Sequence, residues 1–353
     1  MEHKPTIGIV GYGYWGPNLI RNFQTLNECI LKSVCDIDKD RLALVSASYP
    51  HIETHTSFDI FLEDSELDAV VIAVPVQHHY DMAYKSLIAG KHTLIEKPMA
   101  ASVEECKSLI ALARDKELTL MVGHTFLYSP AIRKIKEIID SGELGRIHYI
   151  SSRRLNLGLY QKDINVVWDL APHDISIILY LLGEYPTEVN CRGKTTCNAK
   201  IPDVSNMTLT FADEGFATIH SSWLDPRKVR DMAIVGECKM LVYDDLQDCE
   251  KIKIYDMRVD PQVIPNESRV AYHYGDMWAP YIVPAEPLRI ECAHFIDCVV
   301  TGRTPLSDGK NGLEVVKVLS LASDSMQNSG NNMVVRNGKP NCGELYIKTG
   351  TYE

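Results

Sequence analysis

From Thr6 to Gly123, short runs of consecutive apolar residues alternate with stretches in which apolar positions recur every three to four residues. Runs that are apolar throughout suit strands buried on both faces of a parallel sheet, and the 3.6-residue period between them suits crossover helices. The pattern predicts strands at Thr6–Val10, Leu31–Cys35, Glu53–His55, Ala69–Val74, Thr93–Glu96 and Thr119–Val122. Helices are predicted at Trp15–Gln24, Asp40–Ser48, His79–Ala89 and Val103–Asp115. The alternation describes a complete doubly wound α/β domain over residues 1–125.

Past Ser129 the rhythm changes. A helix at Pro130–Asp140, a strand at Arg146–Arg154 and a helix at Leu170–Leu182 lead into period-two runs. These are Thr187–Arg192, Asn206–Phe211, Phe216–Ser222, Met232–Val235, Lys239–Tyr243 and Lys251–Tyr255. Asp213-Glu214-Gly215 and Gly236-Glu237 supply hairpin turns between them. The segment Asp256–Pro287 has no clear period and reads as a long functional or subunit-bridging loop. Helices at Leu288–Thr301 and Gly312–Gln327 follow, then a strand pair near Asn332–Val335 and Glu344–Ile347. Residues 126–353 therefore read as a second, α+β domain: an open, largely antiparallel sheet with helices on one face.

The first predicted strand runs into Gly11-Tyr12-Gly13-Tyr14-Trp15-Gly16, and a second apolar run ends at Asp36, twenty residues after the last of these glycines. A glycine-rich turn alone has conformational explanations, but this one has the context of a dinucleotide fingerprint. Gly11 permits the tight turn, Gly13 admits a pyrophosphate close to the backbone, and Gly16 lets the next helix pack on the sheet. Pro17 suits the first helical turn, whose N–H groups are the anion site. Asp36, backed by Asp38, accepts hydrogen bonds from a ribose diol and repels a 2′-phosphate, which favours NAD over NADP; nearby Lys39 and Arg41 moderate that preference.

A chain of 353 residues with formal charge −11 is unsuited to general nucleic-acid or anionic-membrane binding, which need basic surface. No apolar run approaches the length of a spanning helix, and the N-terminus enters the first strand at once, so a cytoplasmic protein is expected. The ten cysteines show no metal-type spacing and read as reduced thiols; no metal site is expected, and although Cys191 and Cys197 could face one another, nothing demands it.

Two constellations could carry chemistry. Ligands bind outside the carboxyl ends of strands in open parallel sheets, so Glu96-Lys97-Pro98 sets an ammonium where a nicotinamide and its substrate meet. There it polarises an oxygen or exchanges a proton. Asp169 and His173 are four residues apart, on one helical face, where a carboxylate orients an imidazole base. An N-cap aspartate followed by an ordinary helix histidine is the plainer account of that pair taken alone. Further candidates are Pro75 and His79 after the fourth strand and His124 and Tyr128 after the sixth. Arg153, Arg154 and Asn156 end the first strand of the second domain; strand alternation lets only one of the two arginines face a cleft.

The glycine turn, Asp36, Glu96-Lys97-Pro98, Asp169 with His173, Gly142-Glu143-Leu144-Gly145-Arg146 and Pro305-Leu306-Ser307-Asp308-Gly309 together closely resemble the Gfo/Idh/MocA family of oxidoreductases over the whole chain. The resemblance implies that Lys97, Asp169 and His173 form the catalytic group and that the Lys97–Pro98 bond is cis. It places Gly11, Tyr12, Gly13, Tyr14, Trp15, Gly16, Asp36, Pro75, His79, Glu96 and Lys97 against NAD. His124, Tyr128, Arg154, Asn156 and His173 are expected on the substrate side. Gly13–Asn18 and Trp168–Asp174 look most like members from bacterial polysaccharide pathways that oxidise the C3 hydroxyl of a UDP-hexose. The other activities such a chain could have are dehydrogenation of a free polyol such as inositol, reduction of a keto-sugar, and non-catalytic NAD sensing. A homodimer or homotetramer through the second domain's sheet is expected. Pro172 departs from the small residue more common before the family's histidine.

Overall fold

The computed structural model describes residues 4–158, 160–161, 164–197, 201–264 and 267–335, the side chains of 260–270 apart. The chain forms two compact units: residues 1–128 with 285–317, and residues 129–284 with 318–353.

The first unit runs β1 (Thr6–Val10), α1 (Gly16–Gln24), β2 (Ile30–Cys35), α2 (Lys39–Ser48), β3 (Glu53–His55), α3 (Phe58–Leu62), β4 (Ala69–Ile72), α4 (His79–Ile88), β5 (His92–Glu96), α5 (Val103–Asp115) and β6 (Leu120–Gly123). The strands pair in parallel in the order β3-β2-β1-β4-β5-β6. The apolar runs became strands because both sheet faces are covered: every residue of β4 and β6 is buried. The strand order reverses between β1 and β4, where dinucleotides bind in such sheets.

The second unit runs α6 (Pro130–Asp140), β7 (Ile147–Leu155), α7 (Val166–Leu182), β8 (Glu188–Lys194), β9 (Val204–Thr210), β10 (Phe216–Ser222), β11 (Val229–Gly236), β12 (Met240–Asp244), β13 (Ile252–Ile264) and β14 (Glu267–Trp278). The chain continues with α8 (Pro287–Thr301), α9 (Gly309–Gln327) and β15 (Met333–Val334). Nine strands form one sheet in the order β14-β13-β12-β11-β7-β10-β9-β8-β15, antiparallel except at β7–β10. In β7, Ile150, Ser152 and Arg154 turn to the core while Tyr149 and Arg153 are exposed, and α7 packs over the core side. Among the described residues no helix is long and apolar enough to cross a membrane.

Three sequence expectations need correction. The unpatterned segment after Tyr255 is not a loop throughout: β13 and β14 continue as a long hairpin to Trp278. Its period is obscured by a register shift between Tyr255 and Met257 and by solvent on much of the ladder, where Tyr272 and Tyr274 stack in the open. Gly275 lies under the Asp256 side chain, which would have to move for any larger residue there. Second, α7 begins at Val166 rather than Leu170, because the Asn165 side chain caps the N–H groups of Val167 and Trp168. Third, residues 285–317, read with the second domain, pack with the first unit. Glu286 binds the Arg21 guanidinium and accepts from the Asn22 amide, and Arg289 donates to Thr25, clamping α8 to α1. The strand expected near Asn332–Val335 is present as Met333–Val334, paired with β8, and the strand expected at 344–347 lies outside the described residues.

Candidate active site

The glycine turn fits a dinucleotide on steric grounds. Gly11 has φ +98, and a Cβ on it would lie 2.2 Å from the Ala73 carbonyl. A Cβ on Gly16 would lie 2.3 Å from the Gly11 carbonyl, so no larger residue lets α1 start there. Gly13 instead faces open space, with only Arg41 Nη1 within 3.8 Å of a Cβ position. Two glycines thus pack against the backbone and the third leaves room for a diphosphate at the start of α1. Asp36, nearly buried, accepts the Tyr12 N–H at 2.6 Å and the Asp38 N–H at 2.8 Å, which ties its carboxylate to the turn. Asp38 caps α2, and Arg41 lies 3.7 Å from Asp36.

Pro75 is exposed at the carboxyl end of β4, opening a short 3₁₀ turn. His79 is buried beneath it, with Nδ1 2.8 Å from the Pro98 carbonyl and Nε2 2.8 Å from the Val74 carbonyl. Burial holds its pKa below the ordinary value. The ring is thus packed between the turn after β4 and the turn after β5.

At the end of β5, Lys97 is half-buried and joined to Pro98 by the cis bond that the resemblance implied. Glu96 beside it is pushed up to about 7 by burial, with the Lys97 charge pulling the other way and the Lys97 N–H and Trp15 indole adding smaller pulls. Glu291 of α8, missed by the sequence reading, is a second raised acid. It is fully enclosed, accepts the Thr125 hydroxyl at 2.8 Å, and is held well above the usual carboxylate range by burial and then by Glu96. The signal for it was an acid in the apolar face of a predicted helix.

A raised folded pKa means that the folded protein binds a proton the unfolded chain releases. Stability from this source is full below the ordinary value of 4.5 and is lost as pH rises towards 7. Glu96→Gln should remove that loss. Between pH 5 and pH 8 wild type is expected to lose on the order of 2 kcal/mol more unfolding free energy than the variant, allowing for partial solvent contact, as read by denaturant titration.

His124 is buried against Asn311, Nδ1 to Oδ1 at 2.6 Å. Tyr128 lies wholly in the core with its hydroxyl 2.9 Å from the Ser307 hydroxyl, not on a surface a substrate can reach.

In the second unit α7 is buried on most sides, and near its start Asp169, Leu170 and His173 form a half-open stripe. Pro172 sits inside the helix without ending it. Asp169 Oδ2 accepts the indole N–H of Trp223 at 2.9 Å. Trp223, at the end of β10, is buried and flanked by the Asn156 turn and Tyr160. It went unrecognised because 54 residues separate it from Asp169, although a tryptophan ending a strand needs a partner for its N–H. Trp223→Phe should lower kcat by about five- to tenfold with the KM for NAD unchanged, measured by steady-state kinetics.

Arg154 is 6% exposed and spent on Asp174, Nε to Oδ2 at 2.7 Å, with Ser152 Oγ on Oδ1. Arg153 takes the open face of the sheet, paired with Asp231. Alternation thus sent Arg154 beneath α7, a consequence of the buried Asp174 that the strand pattern alone did not reveal. Among the described residues His294, Asp297 and Cys298 also lie within reach of one another, but His294 Nε2 already accepts the Leu306 N–H and Asp297 binds Arg303.

The chain has relatives of known family. Residues 6–124 match the oxidoreductase family with an NAD-binding Rossmann fold, and residues 132–242 match the GFO/IDH/MocA C-terminal domain. The uncharacterized oxidoreductase YrbE of Bacillus subtilis is 30% identical over 233 residues, 63% of this chain and 68% of that protein. This chain belongs to the Gfo/Idh/MocA oxidoreductase family. The UDP-N-acetylglucosamine 3-dehydrogenase of Acidithiobacillus ferrooxidans is 27% identical over 90% of this oxidoreductase and 95% of its own length. The solved structure of that dehydrogenase, GnnA, superposes with TM-score 0.76 at 24% identity, covering 92% of this chain and 98% of that one. The oxidoreductase thus has an NAD-binding Rossmann domain.

Proposed function

We propose that this oxidoreductase oxidises a secondary hydroxyl of a sugar, with C3 of a UDP-hexose as the reacting position. The observation that carries the reading is Lys97, half-buried at the carboxyl edge of the NAD-binding sheet beside Glu96, whose carboxyl pKa burial pushes up. The Asp169–His173 stripe on α7 adds the second functional group. Likeness to a UDP-N-acetylglucosamine dehydrogenase over nearly its full length supports the choice of nucleotide sugar. Bound NAD supplies the acceptor for the hydride. Asp36 holds the ribose diol, His173 takes the hydroxyl proton with Asp169 and Trp223 orienting it, and Lys97 stabilises the developing alkoxide.

Following NADH absorbance with UDP-glucose and UDP-N-acetylglucosamine against myo-inositol and glucose tests the reading. Turnover with a UDP-sugar and none with the free compounds is expected. Faster oxidation of a free polyol would overturn the substrate class, and tight NAD binding without turnover of any alcohol would return the protein to NAD sensing.

The oxidoreductase is also proposed to form a dimer or tetramer through its nine-stranded sheet. Tyr149 and Phe216 stack in the open at directly paired positions of β7 and β10, and Val242 on β12 is exposed as well. A contiguous apolar face of this kind is usually covered. Light scattering at micromolar concentration should give a multiple of 39.7 kDa; a monomer would count against the assembly.

A further inference from the structure

The Pro305–Gly309 segment has no part in the chemistry above, yet its bonds direct it to the candidate site. The Val122 N–H donates to the Ser307 carbonyl at 2.8 Å, the Ser307 hydroxyl donates to the Val122 carbonyl at 2.7 Å, and Met121 and Asp308 form an antiparallel bridge. With the Ser307 proton so used, the Tyr128 hydroxyl donates to Ser307. The free edge of β6 is thereby closed. Asp308 Oδ1 then accepts the Asn311 N–H at 2.8 Å, and the first turn of α9 brings the Asn311 amide oxygen to 2.6 Å from His124 Nδ1.

An amide oxygen can only accept, so Nδ1 carries the ring proton and Nε2 keeps a bare lone pair. That Nε2 is buried, with no hydrogen-bond partner among the described residues. The charged groups on the surrounding elements are Lys97 and Glu96 from the end of β5, Glu291 from α8 through Thr125, and Asp308 before α9. Of these, Lys97 is the one whose charge acts on the ring. Burial, with Asn311 opposing it and Lys97 assisting, brings the His124 pKa down to about 4, so the ring is neutral at any working pH.

We propose that Asn311 is a positioning residue that locks His124 in the Nδ1–H tautomer, so that the buried Nε2 stays a bare acceptor, and never a second N–H, within the field of the Lys97 charge. The other tautomer would replace that lone pair with an N–H, whose dipole is less favourable near a cation. The task given to Lys97 rests on the function proposed above; the tautomer itself does not.

Long-range proton–nitrogen correlation spectra of the whole protein, labelled at histidine nitrogen and assigned with His124→Asn, read the lock without any substrate. A protonated Nδ1 and an unprotonated Nε2 are expected, with the Nε2 resonance shifting in Lys97→Met. Protonated Nε2 in wild type, or an Nε2 resonance indifferent to Lys97→Met, overturns the proposal. In kinetics, Asn311→Leu should lower kcat by about tenfold at unchanged KM for NAD. Asn311→Asp, which keeps shape and acceptor, should raise the His124 pKa and add an acidic limb, with kcat falling as pH drops and Nε2 gains a proton. A flat profile in Asn311→Asp counts against the role. Should no alcohol be oxidised at all, the proposed activity fails while the spectra still decide the tautomer.

Discussion

Lys97→Met is expected to lower kcat by about a hundred- to a thousandfold and to leave NAD affinity within about threefold, because a preorganised cation acts mainly on charge that develops in the transition state. Methionine keeps the length and the apolar stem. The turn is held independently: Pro98 is buried and its carbonyl is tied to His79. The measurement pairs steady-state kinetics on the UDP-sugar with a calorimetric NAD titration. If NAD affinity fell as far as kcat, Lys97 would be a cofactor residue. If kcat held, the lysine at the end of β5 would be ordinary surface. Because Lys97 also pulls the pKa of Glu96 down, the variant should leave Glu96 titrating at a pH above 7.

His173→Asn should remove about a hundred- to a thousandfold from kcat, the usual worth of a general base, with kcat/KM falling in parallel. Asparagine keeps polarity on the half-open stripe of α7, and the helix is anchored elsewhere, by the Asn165 cap and by the Trp168 indole donating to Ser323 at 2.9 Å. Losses in His173→Asn and Asp169→Asn that do not add in the double variant would mark the pair as one unit. Full turnover by His173→Asn would remove the base assignment and leave Lys97 as the proton acceptor.

What the sequence made legible is local. The glycine turn, Asp36 and the lysine ending β5 follow from residues a few positions apart, and the first unit matches its predicted strands closely because buried parallel strands write continuous apolar runs. The shared helical face of Asp169 and His173 is legible from their spacing. Trp223, Glu291 and Asn311 were not, because each reaches its partner across a large sequence separation: 54 residues to Asp169, 166 to Thr125 and 187 to His124. Arg154 was misplaced for the same reason, since only the fold brings it to Asp174. The β13–β14 hairpin escaped because its ladder is solvated and shifted in register, so the alternation that betrays a half-buried strand is missing.

The return of residues 285–317 to the first unit bears on how this oxidoreductase could be recombined with its relatives. A chimera spliced once near residue 125 would separate Arg21 from Glu286, Thr125 from Glu291 and His124 from Asn311, mixing co-adapted partners from two parents. Swapping coenzyme preference or substrate range between homologues therefore calls for three junctions, at 128/129, 284/285 and 317/318, with 1–128 and 285–317 moved as a single inheritance.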